Sequence, residues 1–164
     1  QDNKSINKKA GGHMLVKNVM TKDVLTVRPD EKVDKVARLL VDNRISGVPV
    51  VDDQHRVVGI ITEKDLMIKA TELKVPFYLT LFDSIIFLEN PIRFNNDLKK
   101  YTATYVKEAM TSKVITVPED CPLNEVVTLM QKKQINRVPV VRHGKLIGIV
   151  TRNDILKAIV ERDG

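Results

Sequence analysis

Aromatic residues supply only 4% of this 164-residue chain, and tryptophan is absent. A single cysteine, Cys121, rules out an internal disulfide, and no secretory signal is evident, so a reducing, cytoplasmic setting is expected. No apolar run reaches membrane-spanning length. Basic residues are spread along the chain and lack interleaved aromatic platforms, which argues against nucleic acid as a partner. His55 and His143 fall in turn-like segments, His13 lies near the start, and no pair has metal-ligand spacing. A nucleophile elbow, a Gly-rich phosphate loop and a convincing acid–base pair are all missing, so no enzymatic activity is expected. Cys121 sits between Asp120 and Pro122, where a helix should begin. A low-pKa thiol is conceivable there, but an incidental small residue is the favoured reading.

What remains is 43% hydrophobic and 29% charged, the balance of a soluble globular protein. The net charge is +6. Residues 1–13 hold three lysines against one aspartate, a net +2, and read as an expression remnant ending before Met14, which leaves +4 for the rest.

The chain states one pattern twice. VKNVMTKDVLTV opens at Val16 and VKEAMTSKVITV at Val106; Met20 matches Met110, and Val48-Pro49-Val50-Val51 matches Val138-Pro139-Val140-Val141, all at a spacing of 90. After one deletion the spacing becomes 89, and Gly59, Thr62 and Asp65 fall on Gly148, Thr151 and Asp154. Each copy of about 50 residues is marginal as an independent core, so the copies are expected to fold against each other.

Within each copy the hydrophobic period changes in a fixed order. Val33, Val36, Ala37 and Leu40, then Leu123, Val126, Val127 and Met130, give helical stripes, with Asp30 and Asp120 just ahead as candidate N-caps. The β-branched runs Val48–Val51 and Val138–Val141 predict strands, each followed by turn chemistry and a partner strand, Val57–Ile61 and Leu146–Val150. A second helix follows from Glu63 and from Arg152, the later one with Ile155, Leu156, Ile159 and Val160 as its apolar face. The unit is short strand, helix, strand, strand, helix. Residues 14–70 and 105–162 are the two copies. Residues 71–104 between them lack the pattern, and Tyr78, Leu81, Phe82 and Ile85 predict a helix stopped by Asn90-Pro91. This insert reads as a cover for the module's own core or a dimer contact. A membrane-surface helix is disfavoured, because its polar face lacks Lys and Arg.

The chemically suggestive motif is G-h-h-T-x-x-D, present as Gly59–Asp65 and Gly148–Asp154. A threonine with an acid three residues later is a capping box. An aspartate at a strand end, beside the positive end of a helix, can also accept hydrogen bonds from a vicinal diol such as ribose, with phosphate favoured nearby. The threonine can cap while the carboxylate faces a ligand.

The order of elements, the h-P-V-V strand and the closing G-h-h-T-x-x-D resemble the CBS domain, named for cystathionine beta-synthase, over about two-thirds of the chain. Two copies resemble a CBS pair, or Bateman module. The resemblance implies an α+β fold of two tandem β-α-β-β-α repeats packed with pseudo-two-fold symmetry, a helical insert between them, and clefts that take adenosine-containing ligands. It implies one cleft built from Thr62, Asp65, Asn136 and Arg137, and another from Thr151, Asp154, Ile45 and Ser46. Backbone at Val24 to Thr26 and Val114 to Thr116 is implied near the adenine.

The clefts differ in their own residues, because Arg137 offers a planar charged fork suited to phosphate where the first copy has Gly47. Arg137 as a surface ion-pair residue is the competing reading. The expected function is a regulatory module for AMP, ADP, ATP or a related ligand such as S-adenosylmethionine or cyclic di-AMP, with none tightly bound as a resident cofactor. It is expected to act as a homodimer or on a separate effector protein, with Phe77 to Leu88 as the responding segment. The alternative is a structural or protein-interaction module with empty clefts.

Overall fold

The computed structural model describes residues 14–72, 79–81, 84–86 and 104–162. After a 3-10 turn at Val16–Asn18 come α1 (Val33–Asn43), β1 (Gly47–Val51), β2 (Val57–Thr62) and α2 (Glu63–Glu72). Two short strands follow, β3 (Leu79–Leu81) and β4 (Ser84–Ile86). The second copy comprises the one-turn α3 (Val106–Ala109), β5 (Val117–Pro118), α4 (Leu123–Lys133), β6 (Arg137–Arg142), β7 (Lys145–Thr151) and α5 (Arg152–Arg162).

These residues form two compact units. Among the described residues, unit one comprises 14–23, 116–142 and 147–162; unit two comprises the remainder, including 24–72, 104–115 and 143–146. Each unit therefore joins the opening segment of one copy to the body of the other. In unit two, Val106 is fully buried with Val27, Val33, Val36, Leu40, Val48, Val50 and Ile61. In unit one, Val16 is fully buried with Val117, Val126, Met130, Val138, Val140 and Val150. The α1 stripe thus faces its core as its spacing predicts, and on α4 Leu123, Val126 and Met130 do so, while Val127 is half-buried outside the cluster.

The incoming segment also starts each helix. Val33 donates its N–H to the Thr104 carbonyl at 3.0 Å, and Leu123 donates to the Met14 carbonyl at 2.8 Å. That satisfies one of the orphan donors of each first turn. Asp30 and Asp120 are consequently not the N-caps: those positions are Lys32 and Pro122, both extended and without side-chain caps. Asp120 instead accepts a hydrogen bond from Lys17 at 2.9 Å. Both helices end on a left-handed residue, Arg44 and Gln134, that closes onto the last turn.

β1 and β2 pair antiparallel from Gly47 opposite Thr62 to Val50 opposite Gly59. The expected opening strand of the first copy shrinks to one parallel bridge between Val27 and Val50. In the second copy it survives as β5, giving a sheet ordered β5-β6-β7. The deletion between the copies lies in the hairpin turn. His143-Gly144 forms a two-residue turn with both φ values positive. The longer first turn is held by Asp52, whose Oδ1 accepts the N–H groups of Gln54 and Arg56 at 2.9 Å.

Two apolar features depart from expectation. In the insert, Leu81 and Ile85 lie on strands rather than a helix: Leu79 pairs with Ile86, Thr80 with Ile85 and Leu81 with Ser84. Helical and strand spacings are hard to tell apart over so few residues, and Thr80, Ile85 and Ile86 are β-branched. Tyr78, Phe82 and Asn90-Pro91 lie outside the described residues, as does most of the Phe77 to Leu88 segment. On α5 only Ile155 packs against a core, while Leu156, Ile159 and Val160 are half or more exposed.

Candidate functional site

Gly59 and Gly148 set the geometry of the site by what they omit. A Cβ on Gly59 would collide with the Met110 sulfur, and one on Gly148 would lie 2.6 Å from the Met20 sulfur. The absent side chain lets the Met-Thr dipeptide of one copy lie flat against the second hairpin strand of the other. Thr111 then exchanges both main-chain hydrogen bonds with Ile60, at 2.8 and 3.0 Å. In the other unit Thr21 does the same with Ile149, at 2.9 Å each way.

Three residues beyond each glycine the strand ends in a threonine that opens a helix. Asp65 Oδ2 accepts the Thr62 backbone N–H at 2.9 Å and its hydroxyl at 3.0 Å, while the Asp65 N–H points back to the Thr62 hydroxyl oxygen at 3.4 Å. Asp154 and Thr151 reproduce this at 2.8, 2.8 and 3.3 Å. The capping box expected from sequence is formed in both units, and each aspartate sits in a first helical turn, where negative charge is favoured.

The other carboxylate oxygen looks elsewhere. Asp65 Oδ1 accepts the Thr111 hydroxyl at 3.2 Å, and Asp154 Oδ1 accepts the Thr21 hydroxyl at 2.9 Å. Both aspartates are half-buried and both threonines exposed. Thr21 and Thr111 were missed in the sequence reading. They repeat at the spacing of 90 beside Met20 and Met110, but spacing does not reveal that their partner lies in the opposite copy.

The remaining residues named from sequence fall into place unit by unit. In unit two the Ser46 carbonyl accepts the Glu63 N–H at 2.9 Å, which sets Ser46 beside the Thr62 turn. In unit one the Asn136 carbonyl accepts the Arg152 N–H at 2.9 Å, beside Thr151. Ile45 is exposed ahead of Ser46, and Arg137, half-buried, opens β6. Thr26 precedes the bridging Val27, and Thr116 precedes β5. Ile45, Ser46, Thr62, Asp65 and Thr26 thus belong to unit two, and Asn136, Arg137, Thr151, Asp154 and Thr116 to unit one.

Cys121 has the opposite character to an activated thiol. Burial first, and then the Glu125 carboxylate 3.9 Å away, push its pKa above the ordinary thiol value. Among the described residues no group of three His, Cys, Asp or Glu side chains could hold a metal ion, and no helix is long and apolar enough to cross a membrane.

A duplicated β-α-β-β-α chain with a glycine-seated Thr–Asp turn in each unit defines a tandem-repeat module of the CBS type. The CBS domain model matches residues 16–71 and again 106–161, and the chain belongs to that family. Its fold is α+β with two CBS repeats. It is 36% identical over 158 residues to the uncharacterized protein MJ1426 of Methanocaldococcus jannaschii, covering 92% of this chain and 94% of that one. The structure of CBSX2 of Arabidopsis thaliana in complex with AMP superposes with a TM-score of 0.71 at 27% identity, covering 93% of this chain and all of that one. The CBS domain pair of protein MJ0100, in complex with 5'-methylthioadenosine and S-adenosyl-L-methionine, superposes with a TM-score of 0.66 at 27% identity, covering 92% and 99%.

Proposed function

We propose that the chain is a regulatory module that binds an adenosine-containing ligand, with AMP, ADP or ATP as the first candidates. The observation that carries this reading is the Thr–Asp turn, built twice. Each turn ends in a carboxylate whose Oδ2 is fully engaged by its own threonine and whose Oδ1 retains acceptor capacity at an exposed edge. Similarity to a protein solved with AMP and to another solved with two adenosine-derived sulfur compounds supports the ligand class.

In this reading Asp65 and Asp154 hold ribose hydroxyls. Arg137 supplies a guanidinium fork for phosphate, and Ile45, Ser46, Asn136, Thr26 and Thr116 frame the remainder with Thr62 and Thr151. The module catalyses nothing itself. Its output passes through a second copy of the chain or a separate effector. The exposed Leu156, Ile159 and Val160 of α5, with Met67 and Ile68 of α2, support self-association.

A protein-interaction role without ligand is the second reading. It is favoured by the protein hydrogen bonds that each carboxylate already accepts, two on Oδ2 from the threonine that opens its own helix and one on Oδ1 from Thr111 or Thr21. Calorimetric titration with AMP, ADP, ATP, S-adenosylmethionine and cyclic di-AMP separates the two. Saturable binding of at least one supports the first, and silence across the panel supports the second.

A further inference from the structure

We infer that Thr111 and Thr21 are ligand contacts, each completing with Asp65 or Asp154 a receptor for the two neighbouring hydroxyls of a cis-diol. This rests on the adenosine reading above and deepens it. An ionised carboxylate offers about four acceptor positions. Thr62 takes both positions on Asp65 Oδ2, and the Thr111 hydroxyl takes one on Oδ1. One position on Oδ1 is left.

The threonine hydroxyl has a single hydrogen, and it is donated to the carboxylate. Toward any third group Thr111 Oγ1 is therefore an acceptor only. The edge presents two acceptor oxygens side by side, 3.2 Å apart in one unit and 2.9 Å apart in the other. Two adjacent hydroxyls of a ribose can each donate to one of them. A deoxyribose leaves one acceptor without a donor.

Backbone geometry makes the threonines usable for this. Thr111 and Thr21 are fixed by their paired main-chain hydrogen bonds to Ile60 and Ile149, and their hydroxyls carry no part of that anchoring. Each threonine belongs to the opposite copy from its aspartate, so a bound diol bridges both copies at the point where one inserts into the core of the other.

The test is calorimetric titration of AMP, 2'-deoxy-AMP and 3'-deoxy-AMP into the unsubstituted protein, the Thr21→Val/Thr111→Val protein and the Thr21→Ser/Thr111→Ser protein. The unsubstituted protein should prefer AMP over each deoxy analogue by about tenfold. The valine pair should lose one of those two preferences to within about twofold, and the serine pair should keep both. Thr21→Ala/Thr111→Ala takes the place of the valine pair if that protein does not fold. Undiminished preference in the hydroxyl-free protein overturns the assignment and leaves the adenosine reading standing. Failure of the unsubstituted protein to bind AMP or any other adenosine compound overturns both.

Discussion

The sulfur of Met110 fills the space that a side chain on Gly59 would need, and Met20 and Gly148 repeat the arrangement in the other unit. Gly59→Ala should destabilise the fold by about 1–2 kcal/mol. The flexible methionine end can yield part of the way, but the Thr111 carbonyl, 3.3 Å from the added carbon, is tied into the bridge with Ile60. Met110→Ala in the same protein should recover part of the loss. Denaturant unfolding of the four proteins in a double-mutant cycle measures this, with a coupling of at least about 0.5 kcal/mol expected. Strict additivity would show that methionine and glycine do not compete for this space.

Val106 and Val16 exchange cores between the copies, which makes a prediction about where damage appears. Val106→Ala should cost about 2 kcal/mol, the scale of a cavity at a fully buried branched residue. Amide protection should fall in β1 and β2, far away in sequence, and Val16→Ala should instead weaken β6 and β7. Hydrogen exchange reads this strand by strand. Losses confined to each valine's own copy would contradict the exchange of opening segments.

That exchange also explains what sequence could and could not disclose. The α1 and α4 stripes and the hairpin strands were legible because periodicity and β-branching are local properties. The capping box was legible because Thr and Asp are three residues apart. Which copy receives Val16 or Val106 is a property of chain routing, and similar repeats offer similar docking surfaces. The caps at Asp30 and Asp120 failed for the same reason, since carbonyls from the exchanged segment serve the helix starts. The apolar face of α5 is real, but periodicity does not say whether its cover lies within the chain. Over the insert, four apolar positions fitted a helix while β-branching at Thr80, Ile85 and Ile86 favoured the strand pair that formed.

Glu119, the residue after β5, ties an ion pair of unit one to acid stability. Arg142 grips it with both Nε and Nη2, at 2.7 to 3.0 Å, and this hydrogen bonding holds its carboxyl below the usual glutamate value. A depressed folded-state pKa contributes stability above the unfolded value, and that contribution disappears as pH falls through the folded one. Glu119→Gln should therefore lower stability at neutral pH and flatten its decline below the ordinary carboxylate range. The pair is solvent-facing, so high salt should shrink the difference. Chemical unfolding at pH 7 and at pH 3 checks both. Parallel pH profiles for the two proteins would remove the pair from the acid response.

Asp65 combines a structural duty with the proposed binding one, so its substitution must be read in two channels. Asp65→Ala removes the capping box of α2 and should cost about 1 kcal/mol of stability. Affinity for an adenosine compound should fall further, by about 1.5 to 3 kcal/mol, or roughly ten- to a hundredfold. Arg137→Ala separates ribose from phosphate recognition, because a guanidinium fork gains from phosphate oxygens and not from an uncharged nucleoside. AMP should weaken by a larger factor than adenosine, and Arg137→Lys should restore only part, since a point charge lacks the bidentate geometry. Calorimetry with both ligands on all three variants measures these ratios. Equal losses for AMP and adenosine in Arg137→Ala would strip Arg137 of the phosphate role while leaving the aspartate assignment to stand or fall on Asp65 alone.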